Sequence, residues 1–252
     1  MRIIINADDC GCSSIVDDHI EEAIKRNKIT STTIMANMDD FDRAVSLYHA
    51  YKDSVSFGLH MNLTEGVPLL KSQELLEKGF YKEDEKGRVV FNGRGFKKKL
   101  LDKGCRDAIL NELIAQADKL RDSHIDISHI DSHHHIHTAM FMIPILPKLC
   151  SRIRVEKVRN IWNFTPGIIS KQLRKGWSFS LKAQNRQMTF TDYFCSFGVF
   201  MEKYDAINYR NSSTIELECH PGSEHYVDEE KLLMESSIEE LTGGVLINYK
   251  LL

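Results

Sequence analysis

Arg2-Ile3-Ile4-Ile5-Asn6-Ala7-Asp8-Asp9 opens the chain, and the way it ends sets the pattern for everything downstream. A β-branched run of this kind predicts a buried strand over Arg2–Asn6, delivering Asp8 and Asp9 at its C-terminal end. Three later segments repeat the arrangement. Ser54–Asn62 reads as a strand finishing in Gly58-Leu59-His60-Met61-Asn62. Ile125–Ile130 reads as another and runs into His129-Ile130-Asp131-Ser132-His133-His134-His135-Ile136-His137. Thr214–Cys219 is a late strand followed by His220-Pro221-Gly222. Four strands thus carry Asp or His at the same end.

Helical patterns alternate with these strands. Ser13 or Ser14 can cap a helix through Arg26, and Asp40–Tyr51 and Arg106–Arg121 give two more. Ala139–Cys150 reads as an apolar helix that Pro144 and Pro147 can break, and Ile168–Arg174 and Asp228–Leu241 read as helices too. Ser31–Ala36 and Ile153–Val158 complete the strands. Strand followed by helix, repeated five or more times, implies parallel strands with right-handed crossovers. The fold class expected is α/β, a distorted (β/α) barrel over residues 1–252 as one domain, with an open doubly wound sheet as the alternative. The stretch 71–104 reads as a loop or hairpin excursion over the site around Val89–Phe91, and 176–210 has no clear pattern.

The 252 residues are 42% hydrophobic and carry a formal charge of −3, which suits a globular core and argues against a nucleic-acid binder. No run is long and apolar enough for a membrane span, and residues 1–6 lead into Asp8 and Asp9 without a signal-like apolar region. Six scattered cysteines suit a reducing cytosol rather than a disulfide scaffold. Of eleven histidines, six lie between 124 and 137.

In parallel α/β folds the C-terminal strand ends share one face, where ligands and chemistry collect. Asp9, His60 and His133 are the candidate ligands of one divalent metal. Imidazole and carboxylate favour zinc, whereas magnesium prefers more oxygen. Adjacent acids point different ways, so Asp8 can take a proton from water while Asp9 ligates. His220, at a rim made by Pro221-Gly222, suits a general acid. Asp131 is either an orienting carboxylate for a neighbouring imidazole or a turn residue. If residues 133–137 were extended, His133, His135 and His137 would share a face. Not all can be ligands, and His134, His135 and His137 are left as supporting, substrate-facing or packed. Cys10-x-Cys12 is more simply small side chains beside a turn.

The segments Asn6–Gly11, Ile29–Thr33, Gly58–Gly66 with Pro68, His129–His137 and Glu218–Gly222 resemble, in order, those of the YdjC-like carbohydrate deacetylases. The resemblance implies a distorted barrel, often dimeric, with one metal ion, zinc or magnesium, on Asp9, His60 and His133. It also implies a catalytic role for Asp8 and His220 and places Arg159 near the site. Asn62, Arg159 and His135 are the candidate substrate contacts. The activity implied is removal of acetyl from N-acetylated amino sugars or short chito-oligosaccharides by a cytoplasmic homodimer. The family usually has Phe at Cys10 and often Asn at Asp17. Two rival readings are a metal phosphoesterase, which calls for more ligands and phosphate-holding bases, and a non-catalytic carbohydrate-binding regulator on the same barrel.

Overall fold

The computed structural model describes residues 1–93, 101–164, 170–206 and 213–252. Its parallel strands are β1 (Arg2–Cys10), β2 (Ser31–Ile34) and β3 (Ser56–Met61), alternating with helices α1 (Ser14–Lys25) and α2 (Phe41–Tyr51). Ser13 is the residue that caps α1, its hydroxyl accepting from the Val16 amide. After β3 come α3 (Gln73–Glu77), an antiparallel hairpin of β4 (Tyr81–Glu83) and β5 (Val89–Phe91), and α4 (Lys103–Asp122). The excursion expected at 71–104 is therefore a short helix and a hairpin. Lys97–Lys99 lies outside the described residues.

The second half departs more from the sequence pattern. The strand expected at Ile125–Ile130 is instead β6, Ile130–Ser132. The helix expected at Ala139–Cys150 is a 3₁₀ turn, Met140–Met142, followed by α5 (Leu146–Ile153) with Pro147 in its first turn. Proline at that point loses no helical hydrogen bond, whereas mid-helix it would. Ile153 therefore ends a helix rather than starting a strand, and Arg154 turns the chain through a left-handed conformation. Of the strand expected at 153–158 only bridges at Lys157 and Val158 form. Helix α6 runs Ser170–Gln184, and the Ile168–Ile169 start of the expected helix lies outside the described residues. β7 (Tyr193–Ser196) and α7 (Phe197–Lys203) fill part of the unpatterned stretch, ahead of β8 (Thr214–Cys219). The final helix is two, α8 (Val227–Glu235) and α9 (Ile238–Thr242), and a last strand, β9 (Val245–Leu246), follows.

The main sheet runs β6-β3-β2-β1-β8-β7, with β9 beside the start of β1. Every pairing in it is parallel. Isolated bridges from Ile130 to Val158 and from Lys157 to Thr189 carry the curl round from β6 toward the β7 segment. This is the distorted (β/α) barrel expected. Among the described residues no helix is long and apolar enough to cross a membrane.

The C-terminal turn closes one end of the interior. Tyr249 is fully buried, stacks on His129 with centroids 3.6 Å apart, and donates its hydroxyl to Glu216. Its carbonyl accepts from the Lys157 ammonium at 2.6 Å. Removing so large a buried ring leaves a cavity and takes the Tyr249 hydroxyl from Glu216 Oε2. Tyr249→Ala should cost about 3–5 kcal/mol and Tyr249→Phe about 1–3 kcal/mol by urea denaturation, and a Tyr249→Phe protein as stable as the wild type would deny the hydroxyl a role.

Candidate active site

The site starts from an irregularity in β1. The register against β2 slips between Ala7 and Cys10, and Asp9 takes a left-handed φ of 68°. The bulge turns the two acids apart. Gly11 follows with φ 86°, and its amide donates to Asp17 Oδ1 at 2.6 Å, fixing this segment on the first turn of α1.

Asp9 faces two imidazoles. Its Oδ1 lies 3.1 Å from His60 Nε2, without hydrogen-bond alignment, and 2.8 Å from His133 Nδ1. Donor atoms of the three residues all lie within 4.8 Å of one another. Behind His60, Asp131 Oδ1 holds Nδ1 at 2.7 Å, and Thr33 joins the pair, its hydroxyl 3.0 Å from Nδ1 and donating to Asp131 Oδ2 at 2.9 Å. That support puts the ring proton on Nδ1 and leaves Nε2, buried and without a hydrogen-bond partner, aimed at Asp9. A carboxylate and two imidazoles converging this way, one with an orphaned inward nitrogen, fit a divalent cation. Burial would push the Asp9 carboxyl up, but His133 and His60 hold it well below the ordinary range.

Asp8 turns to the other side and meets Arg159. The guanidinium is completely buried and donates four hydrogen bonds to carboxylates, with a fourth carboxylate, Asp131, paired beside it. Both terminal nitrogens reach Asp8, at 2.7 and 2.6 Å; Nε donates to Glu216 at 2.7 Å, one terminal nitrogen reaches Glu218 at 3.3 Å and the other Asp131 at 2.8 Å. Phe194 lies beneath it, 4.9 Å from ring centroid to Cζ. Burial would raise the Asp8 carboxyl, yet Arg159, with His60 and His220, holds it well below the ordinary range. Glu216 goes the other way: burial outweighs Arg159 and pushes it up to about 7.

His220 stands 3.9 Å from Asp8 Oδ2 and stacks on Tyr226. Burial would lower its pKa, but Glu229 (3.8 Å away), Asp8 and Glu218 raise it to about 9, so it carries a proton at neutral pH.

The His-rich run is not extended. It is a 3₁₀-type turn in which His134 and His135 have φ of 54° and 53°, so the three odd-numbered imidazoles do not share a face. His133 faces Asp9; His135 Nε2 lies 3.5 Å from Glu218; His137 Nδ1 meets the Ser132 hydroxyl. Burial pushes His137 well below the ordinary value, keeping it neutral. Asp8, Asp9, His60, His133, His135, Arg159 and His220 thus come together, but the Asn62 side chain does not join them. Its amide donates to Asn37 and to the Glu65 carbonyl and accepts from the Thr64 and Glu65 amides, so it is spent on its own turn.

Sequence reasoning passed over Glu216, Glu218 and Glu65. The first two are flagged by Glu-x-Glu inside an otherwise apolar strand, a spacing that puts both on one face. Glu65 faces His133 and His134 and also lines a cleft of about 510 Å³ between the β4–β5 hairpin and the loops at 38–39 and 64–67. Amides of Phe91 and Gly93 pin the hairpin to Gly66 and Thr64.

Fold and site together define an α/β-barrel protein with a carboxylate–imidazole centre at the C-terminal ends of its strands. The model of the YdjC-like protein family matches residues 2–242, and the chain belongs to that family. It is 30% identical to a carbohydrate deacetylase of Clostridium beijerinckii over 99% of this chain and 94% of that one. A carbohydrate deacetylase of Vibrio parahaemolyticus is 28% identical over 94% of this chain and 82% of its own. A solved structure from Enterococcus faecalis, described as a cellobiose-phosphate cleavage protein, shares the fold. It has a TM-score of 0.77 at 22% identity, over 99% of this chain and 97% of that one.

Asp17 provides a test of how the acid-bearing turn is held. It is buried, its Oδ2 has no hydrogen-bond partner, and burial outweighs the Gly11 amide to push its pKa up to about 6. A carboxyl whose folded pKa lies above its ordinary value costs stability once pH passes that ordinary value, with the cost complete above the folded pKa. Asn keeps the acceptor for Gly11 without the charge. Asp17→Asn should therefore stabilise the fold by on the order of 2 kcal/mol at pH 7–8. The gain should shrink as pH falls through 6 and vanish near 4; a pH-independent gain in denaturant titrations would refute the charge explanation.

Proposed function

We propose that this protein is a metal-dependent carbohydrate deacetylase that hydrolyses the acetamide of an N-acetylated amino sugar or short chito-oligosaccharide. The observation carrying this reading is the division of labour between adjacent acids. Asp9 sits with His60 and His133, while Asp8 sits with Arg159 and His220. The deacetylase names of the relatives from Clostridium and Vibrio support it.

Asp9, His60 and His133 would hold one divalent ion, zinc or magnesium. When bound, it supplies the positive charge that polarises an acetyl carbonyl and makes water acidic enough to serve as nucleophile at neutral pH. Asp8, weakened as a base by Arg159, takes the proton of that attacking water. The water oxygen bonds to the acetyl carbon, the C–N bond breaks, and His220 gives its proton to the departing amine. At 3.9 Å from Asp8, His220 can recover the proton the acid has taken. Acetate and a free amino sugar result. His135, presented to the site with Glu218 behind it, is placed against the sugar, and the cleft beside Glu65 receives a neighbouring sugar unit.

Arg159 is completely buried and paired with four carboxylates rather than offered to a phosphate, which counts against the phosphoesterase reading. A purely binding role does not call for a proton-bearing imidazole beside a carboxylate. We further place the enzyme in the reducing cytosol, where its six cysteines remain free thiols, as a homodimer.

Incubated with zinc or magnesium, the protein should release acetate from diacetylchitobiose, and chelator-stripped protein should not. Asp8→Asn should retain the metal and lose about 10²–10⁴-fold in turnover. Acetate release that ignores the metal, or a fully active Asp8→Asn, would refute the mechanism.

A further inference from the structure

The two imidazoles of the centre do not present the same nitrogen. His60 turns Nε2 toward Asp9, with Nδ1 held from behind by Asp131. His133 turns Nδ1 toward Asp9, and its Nε2 points the other way, buried and without a hydrogen-bond partner. An imidazole that ligates through one nitrogen carries its proton on the other, and a buried N–H needs an acceptor. The carboxylate facing His133 Nε2 is Glu65, with Oε2 3.6 Å away. We infer that Glu65 is a positioning residue that keeps the His133 proton on Nε2, so that His133 ligates through Nδ1 and His60 through Nε2. This rests on the metal-centre reading above.

The loop is built to aim that carboxylate. Asn62 grips the Glu65 main chain at both ends, accepting from its amide at 3.2 Å and donating to its carbonyl at 2.9 Å. Gly66 follows with φ 71°, where a Cβ would come within 2.5 Å of the Asn37 carbonyl oxygen. The backbone is fixed while the half-exposed Glu65 side chain keeps its rotamers. It can close the few tenths of an ångström between 3.6 Å and a hydrogen bond. Its other oxygen faces His134 Nε2 at 3.8 Å, and the His134 ring lies against His133 with centroids 3.8 Å apart. His134 Nδ1 is paired with the Thr64 hydroxyl at 2.9 Å, which ties the imidazole packed on His133 to the same loop. Asn62, a candidate substrate contact in the sequence, thus acts on the centre through Glu65.

The test is zinc affinity by chelator competition, combined with ¹⁵N NMR of the histidine rings in zinc-loaded protein. Glu65→Ala should weaken zinc binding about 10–100-fold, with the melting temperature of the metal-free protein unchanged. Glu65→Gln, whose amide oxygen still accepts an N–H, should recover most of the affinity. The spectra should show the His60 proton on Nδ1 and the His133 proton on Nε2. Wild-type affinity in Glu65→Ala, or a His133 proton on Nδ1, would overturn the inference and leave the metal centre standing. A wild-type protein that binds no zinc and no magnesium would overturn both.

Discussion

A guanidinium buried among carboxylates is the constraint on which the rest of this barrel depends. Arg159 touches Asp8, Asp131, Glu216 and Glu218, none of which is exposed enough for water to compensate its charge. A buried ion network of this kind is not in itself a gain in stability, because desolvation consumes most of the attraction. Its value lies in geometry: with one member removed, the remaining charges have nowhere to go, so the arrangement permits few alternatives. Arg159 fixes Asp8 directly, and through Asp131 it fixes His60, hence the direction of His60 Nε2. One side chain therefore ties the proposed base to the proposed ligand set.

The charge balance around the centre is compatible with the proposed cation. Arg159 alone cannot offset the surrounding acids. Burial makes Glu216 retain a proton at the acid end of neutrality, while Asp131, Asp9 and Asp8 overcome burial to raise the affinity of His60 for positive charge. The divalent ion proposed between Asp9, His60 and His133 would meet the same demand. On the other side of the bulge, against burial, Glu229, Asp8 and Glu218 raise the pKa of His220 to about 9. Two acids adjacent in sequence thus meet different partners because the backbone turns between them.

The sequence shows the strand ends well and the connections less well. Asp8, Asp9, His60 and His220 stand at or beside ends of strands whose β-branched or apolar runs are plain, so their meeting on one face follows from parallel topology. His133 comes from a weaker reading: β6 is only Ile130–Ser132, and the imidazole is placed by the turn after it. Alternation could not foresee left-handed His134 and His135, because backbone reversal leaves no periodic trace in a run of identical residues. β9 is hidden for a related reason, since a strand of two residues is too short to show a period, whereas the hairpin at Val89–Phe91 is legible as a loop or hairpin excursion. Asn62 illustrates a different limit. Its residue type suits a sugar or a turn equally, and only the hydrogen-bond partners distinguish them.

Anomalous diffraction from zinc-soaked crystals, recorded above and below the zinc edge, addresses the central claim most directly. One strong peak per chain, bounded by Asp9, His60 and His133, is what this account requires. A peak ligated by other residues, or none in that triangle, would contradict it.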